Sequence, residues 1–161
     1  MKVSANTLKW VLRLYPPLLF QRIWVKSLDP NFCNIVVKIN KSTLNKNGNG
    51  SIFGGTISAG GDPYFVVLFY QYFSHKGYQL NAWQKSFQAN FLNPAYSTLY
   101  LHFKIEPEEI QFAEKCLNEQ GKYVHIHSVD AIDSQGKICA RLQSEVYLRN
   151  LDFPQNENNK A

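Results

Sequence analysis

The segment GNGSIFGGTISAGGDPYF, residues 48–65, places six glycines and one carboxylate directly before the apolar run VVLFYQYF. Glycine inside regular structure costs about 0.5–1 kcal/mol relative to alanine, so this density of glycine predicts a backbone that approaches something closely. The neighbour is either a ligand or another part of the protein. The run that follows is apolar on nearly all sides, which predicts a deeply buried helix.

Asp62-Pro63 inside this segment allows two interpretations. Asp62 can cap a helix that starts at Pro63, because aspartate is a good N-cap and proline suits the first helical position. Alternatively, the helix begins near Gly54. In that case Pro63 removes one backbone hydrogen bond and kinks the helix beside Asp62.

The size and composition of the chain predict one globular domain. With 161 residues, of which 45% are apolar and 18% charged, the chain is long enough to bury a core without disulfides or metal. We expect this domain over 1–154, with a helical extension over about 1–28, a core over about 32–149 and a disordered tail over 155–161. The net charge of +5 suits nucleic acid, anionic lipid or a phosphorylated small molecule, and equally a lysine-rich protein without such a partner.

The spacing of cysteine and histidine gives no metal motif. The three cysteines lie far apart without a C-x-x-C pair, so we expect neither a disulfide framework nor zinc, and a cytoplasmic location. His125 and His127 share one side of a predicted strand, but they lack a third ligand at a recognisable spacing, so we expect surface or interface histidines. No segment has the ~20 apolar residues needed to cross a bilayer, and we expect no signal peptide.

Periodicity predicts helices at two further places. Residues 4–15 form an amphipathic pattern, with Leu8, Val11, Leu12 and Tyr15 on one side, that stops at Pro16-Pro17. Residues 107–119 open with acids that complement the helix dipole, and Gly121 supplies a C-cap.

The remaining pattern predicts strands. Residues 34–41 form one strand, and alternation of apolar and polar residues predicts strands over 83–91, 99–105, 123–132 and 137–148. We expect the first two of these four to form one hairpin and the last two another. Antiparallel strands with one apolar helix across them make an α+β fold.

Several of these segments resemble the hotdog-fold acyl-CoA thioesterases of the phenylacetate-pathway type. N-G-N-G-S-I-F-G-G at 47–55 is similar to the element N-G-x-G-x-x-H-G-G, and Asp62 stands seven residues past Gly55, where the family has Asp or Glu. FLNPA resembles the strand-ending F-x-x-P-A, and VDAIDSQGKICAR resembles the hairpin D-x-x-G-x-x-x-A. Phe53 replaces the histidine of the motif. With this phenylalanine and the helical insert at 107–119, the chain resembles a poorly characterised branch of thioesterase-like domains. The resemblance covers about residues 32–149 and favours a helix that begins near Gly54.

The resemblance implies a fold, a reaction and a set of site residues. The hotdog fold is an antiparallel β-sheet wrapped around one long central apolar helix, here with an N-terminal helix and a short helical insert between strands. The implied reaction is hydrolysis of an acyl-CoA thioester, with coenzyme A as part of the substrate and no other cofactor or metal. A homodimer or a dimer of dimers is implied, with the site at the interface. The implied catalytic residues are Asp62 as base or nucleophile and Gly54 and Gly55 as backbone oxyanion donors.

Other residues are candidates for substrate contact, each with a plainer alternative. Asn47 and Phe53 lie in the glycine motif. Asn93 and Tyr96 either line the acyl tunnel or only serve a turn. Lys85, like Lys104 and Arg141, either meets the phosphates of coenzyme A or belongs to a solvated face. Four aromatic residues of the buried run are expected in the core: Tyr64, Phe65, Phe69 and Phe73.

Two further functions compete with hydrolysis. A non-catalytic acyl-CoA or acyl-group binding protein would keep the pocket and lose turnover, and the Phe53 replacement favours it. Nucleic-acid binding rests on net charge and aromatic content alone, so we expect no nucleic-acid partner. The acyl chain, the pathway and the oligomer size are not encoded in these patterns.

Overall fold

The computed structural model describes residues 2–154, and the expected tail lies outside these residues. The described residues form five helices and six strands, in this order: α1 (Ala5–Leu14), α2 (Pro16–Phe20), β1 (Ile23–Leu28), β2 (Asn34–Ile39), α3 (Gly54–Gly61), α4 (Tyr64–His75), β3 (Leu80–Phe91), β4 (Leu99–Lys104), α5 (Pro107–Glu119), β5 (Lys122–Asp133) and β6 (Ile138–Asn150). All six strands belong to one antiparallel sheet in the spatial order β1-β2-β4-β5-β6-β3. The predicted α+β class is therefore confirmed.

The central helix is divided in two. α3 begins at Gly54 and ends at Gly61, and α4 begins at Tyr64 after the Asp62-Pro63 break. Pro63 has no N–H to continue the ladder of α3, which explains the interruption. The side chain of Asp62 does not cap α4, so the helix start at Gly54 is confirmed and the capping interpretation is wrong.

α4 supplies much of the core. Four of its aromatic residues are almost completely buried, as predicted: Tyr64, Phe65, Phe69 and Phe73. Each such side chain contributes roughly 1.5–3 kcal/mol through removal of apolar surface from water. The helix is apolar on nearly all sides because other parts of the chain cover it, and this burial fixes the position of the Asp62-Pro63 break at its start.

The predicted hairpin of β3 with β4 is wrong. β3 pairs along its length with β6, from Leu80 opposite Asn150 to Phe91 opposite Ala140. β4 instead lies between β2 and β5. Alternation identifies which face of a strand is buried but not which strand lies beside it. The segment after Phe91 therefore crosses from one edge of the sheet to its middle.

β5 carries a buried polar cluster that the sequence did not indicate. His127, predicted as a surface or interface histidine, is 4% exposed, whereas His125 is exposed. Nδ1 of His127 lies 3.1 Å from Oε1 of Glu109 on α5, and Nε2 lies 3.0 Å from the Tyr123 hydroxyl. Burial lowers the pKa of His127 to about 4, although Glu109 acts in the opposite direction. The neutral ring thus joins the helical insert to the sheet.

The N-terminal extension packs against the β1 edge of the sheet. Leu8 and Leu12 of α1 are buried, as expected, and Leu18 of α2 is buried beside them. Val11 and Tyr15, predicted on the same side, are both more than half exposed. α1 ends at Leu14, so Tyr15 does not follow its helical periodicity, and only a narrow stripe of α1 contacts the core.

Candidate active site

A tight turn over residues 47–51 leads into the candidate site. The side-chain oxygen of Asn47 accepts hydrogen bonds from the backbone N–H groups of Asn49 and Ser51, and its Nδ2 donates to the Ser51 hydroxyl at 2.9 Å. Gly50 has a φ of +75°, which glycine adopts at little cost. Asn47 therefore organises the turn with its own amide.

α3 starts with the two glycines of the motif. The carbonyl of Phe53 accepts from the N–H groups of Thr56 and Ile57, at 3.0 and 3.2 Å. The N–H groups of Gly54 and Gly55 come before these first helical hydrogen bonds, so they have no acceptor within the helix. They also lie at its positive end, where a developing negative charge is favourable.

Aromatic rings lie directly over these two glycines. A Cβ atom added at Gly54 would lie 3.1 Å from Cζ of Phe91, and one added at Gly55 would collide with the ring of Phe53. Both rings are more than half exposed. The close neighbour of this part of the backbone is therefore a pair of side chains at the surface.

A pocket of about 290 Å³ opens beside the start of α3. It brings together Asn47, Gly54 and Asn93, which the sequence had placed in one site. Its other walls come from Ser51, Ile52, Ile57, Phe91, Leu92, Pro94 and Ala95. The pocket thus lies between the glycine turn and the segment that follows β3.

The loop that carries the turn is fixed by Asn45, which sequence reasoning missed. Asn45 is 3% exposed, and its Nδ2 donates to the carbonyls of Gln21 and Asn40. The backbone carbonyl of Asn45 accepts a hydrogen bond from the N–H of Phe53 at 2.7 Å. A buried asparagine in an apparently irregular loop has no distinctive sequence signal, although its hydrogen bonds hold the first turn of α3 in place.

Asp62 lies at the opposite end of α3 from this pocket. Since α3 has eight residues, its two ends are separated by roughly 12 Å at 1.5 Å per residue. The residue is exposed, and it takes part in none of the ion pairs of the described residues. Neighbouring protein atoms nevertheless desolvate its carboxylate and raise its pKa above the usual value. A single chain therefore does not bring Asp62 together with Gly54.

The glycines next to Asp62 have a different environment from those at the start of α3. A Cβ at Gly60 would meet Ile39, and one at Gly61 would lie 2.7 Å from Cδ1 of Leu142 and 2.9 Å from Cε2 of Phe87. Both glycines are buried. Here the backbone of α3 packs closely against side chains of the sheet, which explains these two glycines without a ligand.

Other predicted contact residues are engaged elsewhere. Asn93 donates from Nδ2 to the carbonyl of Ile138 at 2.8 Å and thereby anchors the segment after β3 to the start of β6. Tyr96 is exposed outside the pocket, with Nζ of Lys41 5.7 Å from its ring centre. The basic residues proposed for coenzyme A form ion pairs within the chain: Lys85 with Glu145, Lys104 with Glu106 and Arg141 with Asp130.

Metal binding and membrane spanning find no support in the described part of the chain. Across residues 2–154, no group of three or more His, Cys, Asp or Glu side chains is arranged to hold a metal ion. None of the helices there is long and apolar enough to cross a membrane. The three cysteines are free thiols.

Comparison with known proteins identifies the family and the fold. Residues 5–148 match the family described as Domain of unknown function (DUF4442). PA5026 of Pseudomonas aeruginosa, a protein of unknown function described as a probable thioesterase, is similar at a TM-score of 0.82 and 18% identity, over 93% of this chain and 98% of that chain. Thioesterase HI1161 of Haemophilus influenzae is similar at a TM-score of 0.68 and 11% identity, over 97% of each chain.

A third protein also has a similar structure. The E. coli PaaI protein from the phenylacetic acid degradation operon gives a TM-score of 0.61 at 18% identity, over 92% of this chain and 96% of that chain. No curated protein matches the sequence. At these identities the likeness concerns the fold, and the chain belongs to the DUF4442 family and has the hotdog fold.

Proposed function

We propose that this protein hydrolyses the thioester of an acyl-CoA. The observation that carries the proposal is the start of α3, where the N–H groups of Gly54 and Gly55 have no helical acceptor and Gly54 lines a pocket. Such donors stabilise the negative oxygen of a tetrahedral intermediate without a charged side chain. The thioesterase names of structures with the same fold agree with this chemistry.

In the proposed reaction, Asp62 acts on the carbonyl carbon through a water molecule or directly. As a base it takes a proton from water, the resulting hydroxide attacks the carbonyl carbon, and the oxyanion accepts hydrogen bonds from the Gly54 and Gly55 N–H groups. Collapse of the intermediate breaks the C–S bond, and the leaving thiolate takes up the proton. The raised pKa of Asp62 makes its carboxylate a better proton acceptor than an ordinary aspartate.

The separation of Asp62 from Gly54 within one chain supports a site built from two protomers. β3 lies at the edge of the sheet and ends at Phe91, a residue of the pocket wall. We therefore propose a homodimer paired through β3, in which Asp62 of each chain acts with the glycines of its partner. Such pairing also covers an exposed strand edge. The free thiols suit a reducing compartment such as the cytoplasm.

A second candidate function is binding of acyl-CoA without hydrolysis. Two observations favour it. Phe53 occupies the motif position of the histidine, and the Phe91 ring lies against Gly54, where a substrate carbonyl would have to approach. The candidate contacts for the acyl group, Asn93 and Tyr96, are common to both functions, as is Lys85 for coenzyme A.

The test is thiol release from short, aromatic and long-chain acyl-CoA esters, with wild-type protein and Asp62→Asn. We expect hydrolysis of at least one ester and a loss of about 100-fold or more in the variant, since general acid-base catalysis contributes roughly 10²–10⁴-fold. Asp152→Asn is the matched control, because it removes an exposed carboxylate outside the candidate site. An inert wild-type protein that an acyl-CoA nevertheless stabilises against heat would support the binding function instead.

A further inference from the structure

Positive charge is concentrated in the first 28 residues of the chain. They contain five of the 17 basic residues and none of the 12 acidic ones, which leaves 12 of each sign in the remainder. The whole net charge of +5 therefore belongs to the segment of α1, α2 and β1. The five basic residues are Lys2, Lys9, Arg13, Arg22 and Lys26.

The same segment exposes large apolar side chains. We call five of them the N-terminal apolar patch: Trp10, Val11, Leu14, Tyr15 and Phe20. Their exposed fractions run from 47% for Trp10 to 71% for Phe20. Other leucines of α1 and α2 already bury the inner side of these helices, so the patch is not needed for the core. An exposed apolar cluster beside basic residues is typical of an interaction surface.

Arg13 connects Trp10 of the patch to the sheet. Its guanidinium carbon lies 4.8 Å from the ring centre of Trp10 and 4.6 Å from that of Trp24 on β1. Nε of Arg13 also donates to the carbonyl of Val25 at 2.8 Å. A surface ordered before binding loses less conformational entropy when it binds.

We propose that the N-terminal apolar patch and its basic residues bind the surface of an anionic lipid bilayer. Helices that lie in a membrane interface combine Trp, Phe and Leu side chains with Lys and Arg, and their binding grows with apolar area and with anionic lipid content. Tryptophan and tyrosine favour the headgroup level because their rings are amphipathic. The surface of α1 and α2 combines exposed apolar side chains with basic residues, and it includes one tryptophan and one tyrosine.

Charge and side-chain type favour lipid over other occupants. A second copy of this chain would bring the same basic segment face to face, which opposes like charges. Nucleic acid is bound mainly through phosphates and by stacking on aromatic rings, which gives no role to exposed Val11 and Leu14. A bilayer accepts both the cations and the aliphatic side chains.

Hydrogen bonds connect the proposed membrane-binding segment to the candidate active site. The carbonyl of Gln21, at the end of α2, accepts from Asn45, whose own carbonyl holds the N–H of Phe53. Leu44, adjacent to Asn45, is 71% exposed. Two hydrogen bonds thus link Gln21, which follows Phe20 of the patch, to Phe53 at the start of α3. The proposal does not depend on thioester hydrolysis.

The test is co-sedimentation with vesicles of phosphatidylcholine alone or with about one-third phosphatidylglycerol. We expect the wild-type protein to pellet with the anionic vesicles, to do so less at high salt, and to bind neutral vesicles weakly. Emission of Trp10 should shift to shorter wavelength on binding. Failure of the wild-type protein to bind anionic vesicles at low salt overturns the proposal.

Two variants with matched controls test the surface itself. Leu14→Gln with Phe20→Gln removes exposed apolar area, and Phe112→Gln with Ile126→Gln removes similar area elsewhere. Lys2→Glu with Lys9→Glu reverses two charges, and Lys115→Glu with Lys122→Glu gives the same net charge. We expect each patch variant to weaken binding more than about tenfold, since one cation near the surface contributes roughly fivefold and each methylene group removed from water roughly fourfold. The controls should bind within about twofold of wild type.

Two outcomes separate this proposal from its rivals. If the two charge-reversal variants lose binding equally, net charge alone is responsible, and if the two glutamine variants also lose it equally, the location of the apolar side chains does not matter; the proposal is then wrong. If the patch variants change the oligomeric state and leave vesicle binding intact, the surface is an interface between copies of the chain. The Asp62→Asn variant should bind vesicles as the wild-type protein does. Vesicle binding therefore tests this proposal even if the protein does not hydrolyse thioesters.

Discussion

The two ends of α3 each carry a glycine pair, and the pairs serve different purposes. Gly54-Gly55 lies beneath exposed aromatic rings at the surface, whereas Gly60-Gly61 is buried against side chains of the sheet. Removing Cβ allows close approach in both places, but the partner is movable at one end and fixed at the other. Glycine density therefore predicts close approach without identifying what approaches.

The largest expected effect is at the buried end. We expect Gly61→Leu to lower the free energy of unfolding by about 3 kcal/mol, because the new side chain must displace Leu142 and Phe87 in a close-packed interior. Denaturant unfolding measures the change. Gly48→Leu is the control, since no atom lies within 4 Å of a Cβ there. Equal stabilities of the two variants would mean that the interior around Gly61 accommodates a leucine side chain without strain.

A smaller effect on stability, with a large one on function, is expected at the exposed end. In Gly54→Ala the new methyl group contacts only the end of the exposed Phe91 ring. The free energy of unfolding should therefore change by less than about 1 kcal/mol. If Gly54 donates to the oxyanion, hydrolysis should fall by about 10²-fold, because the methyl group hinders approach of the carbonyl. Thiol release and thermal unfolding, measured on the same sample, separate the two effects. Full activity in this variant would remove Gly54 from the site.

The smallest effect concerns the acid that follows the buried pair. Because desolvation raises the pKa of Asp62, the rate of hydrolysis should decline as pH falls through this raised pKa. The native state favours the protonated form, so ionisation of Asp62 costs stability above this pKa. Asp62→Asn should therefore be slightly more stable at neutral pH, by a few tenths of a kcal/mol, because solvent screens an exposed group. A variant that is less stable than wild type at neutral pH would contradict this sign.

The sequence predicted the elements better than their neighbours. Apolar content identified α4, and the position of Pro63 located the break beside Asp62, because both follow from local chemistry. The pairing of β3 with β6 was missed, since it depends on contacts far apart in the chain. The family resemblance grouped Asn47 and Gly54 of the glycine motif with Asn93 of the FLNPA segment, and the structure brings these three residues together. The role of Asn45 depends on long-range hydrogen bonds and could not be predicted.

The buried histidine of β5 makes the fold sensitive to acid. The native state binds a proton at His127 only below about pH 4, whereas an unfolded chain does so below about 6.5. Between these values the unfolded state takes up a proton that the native state excludes, so stability falls as pH falls. The native state loses stability to acid because it would have to bury a charged imidazole. Since His127 joins α5 to β5 through Glu109 and Tyr123, we expect acid to weaken first the attachment of the helical insert.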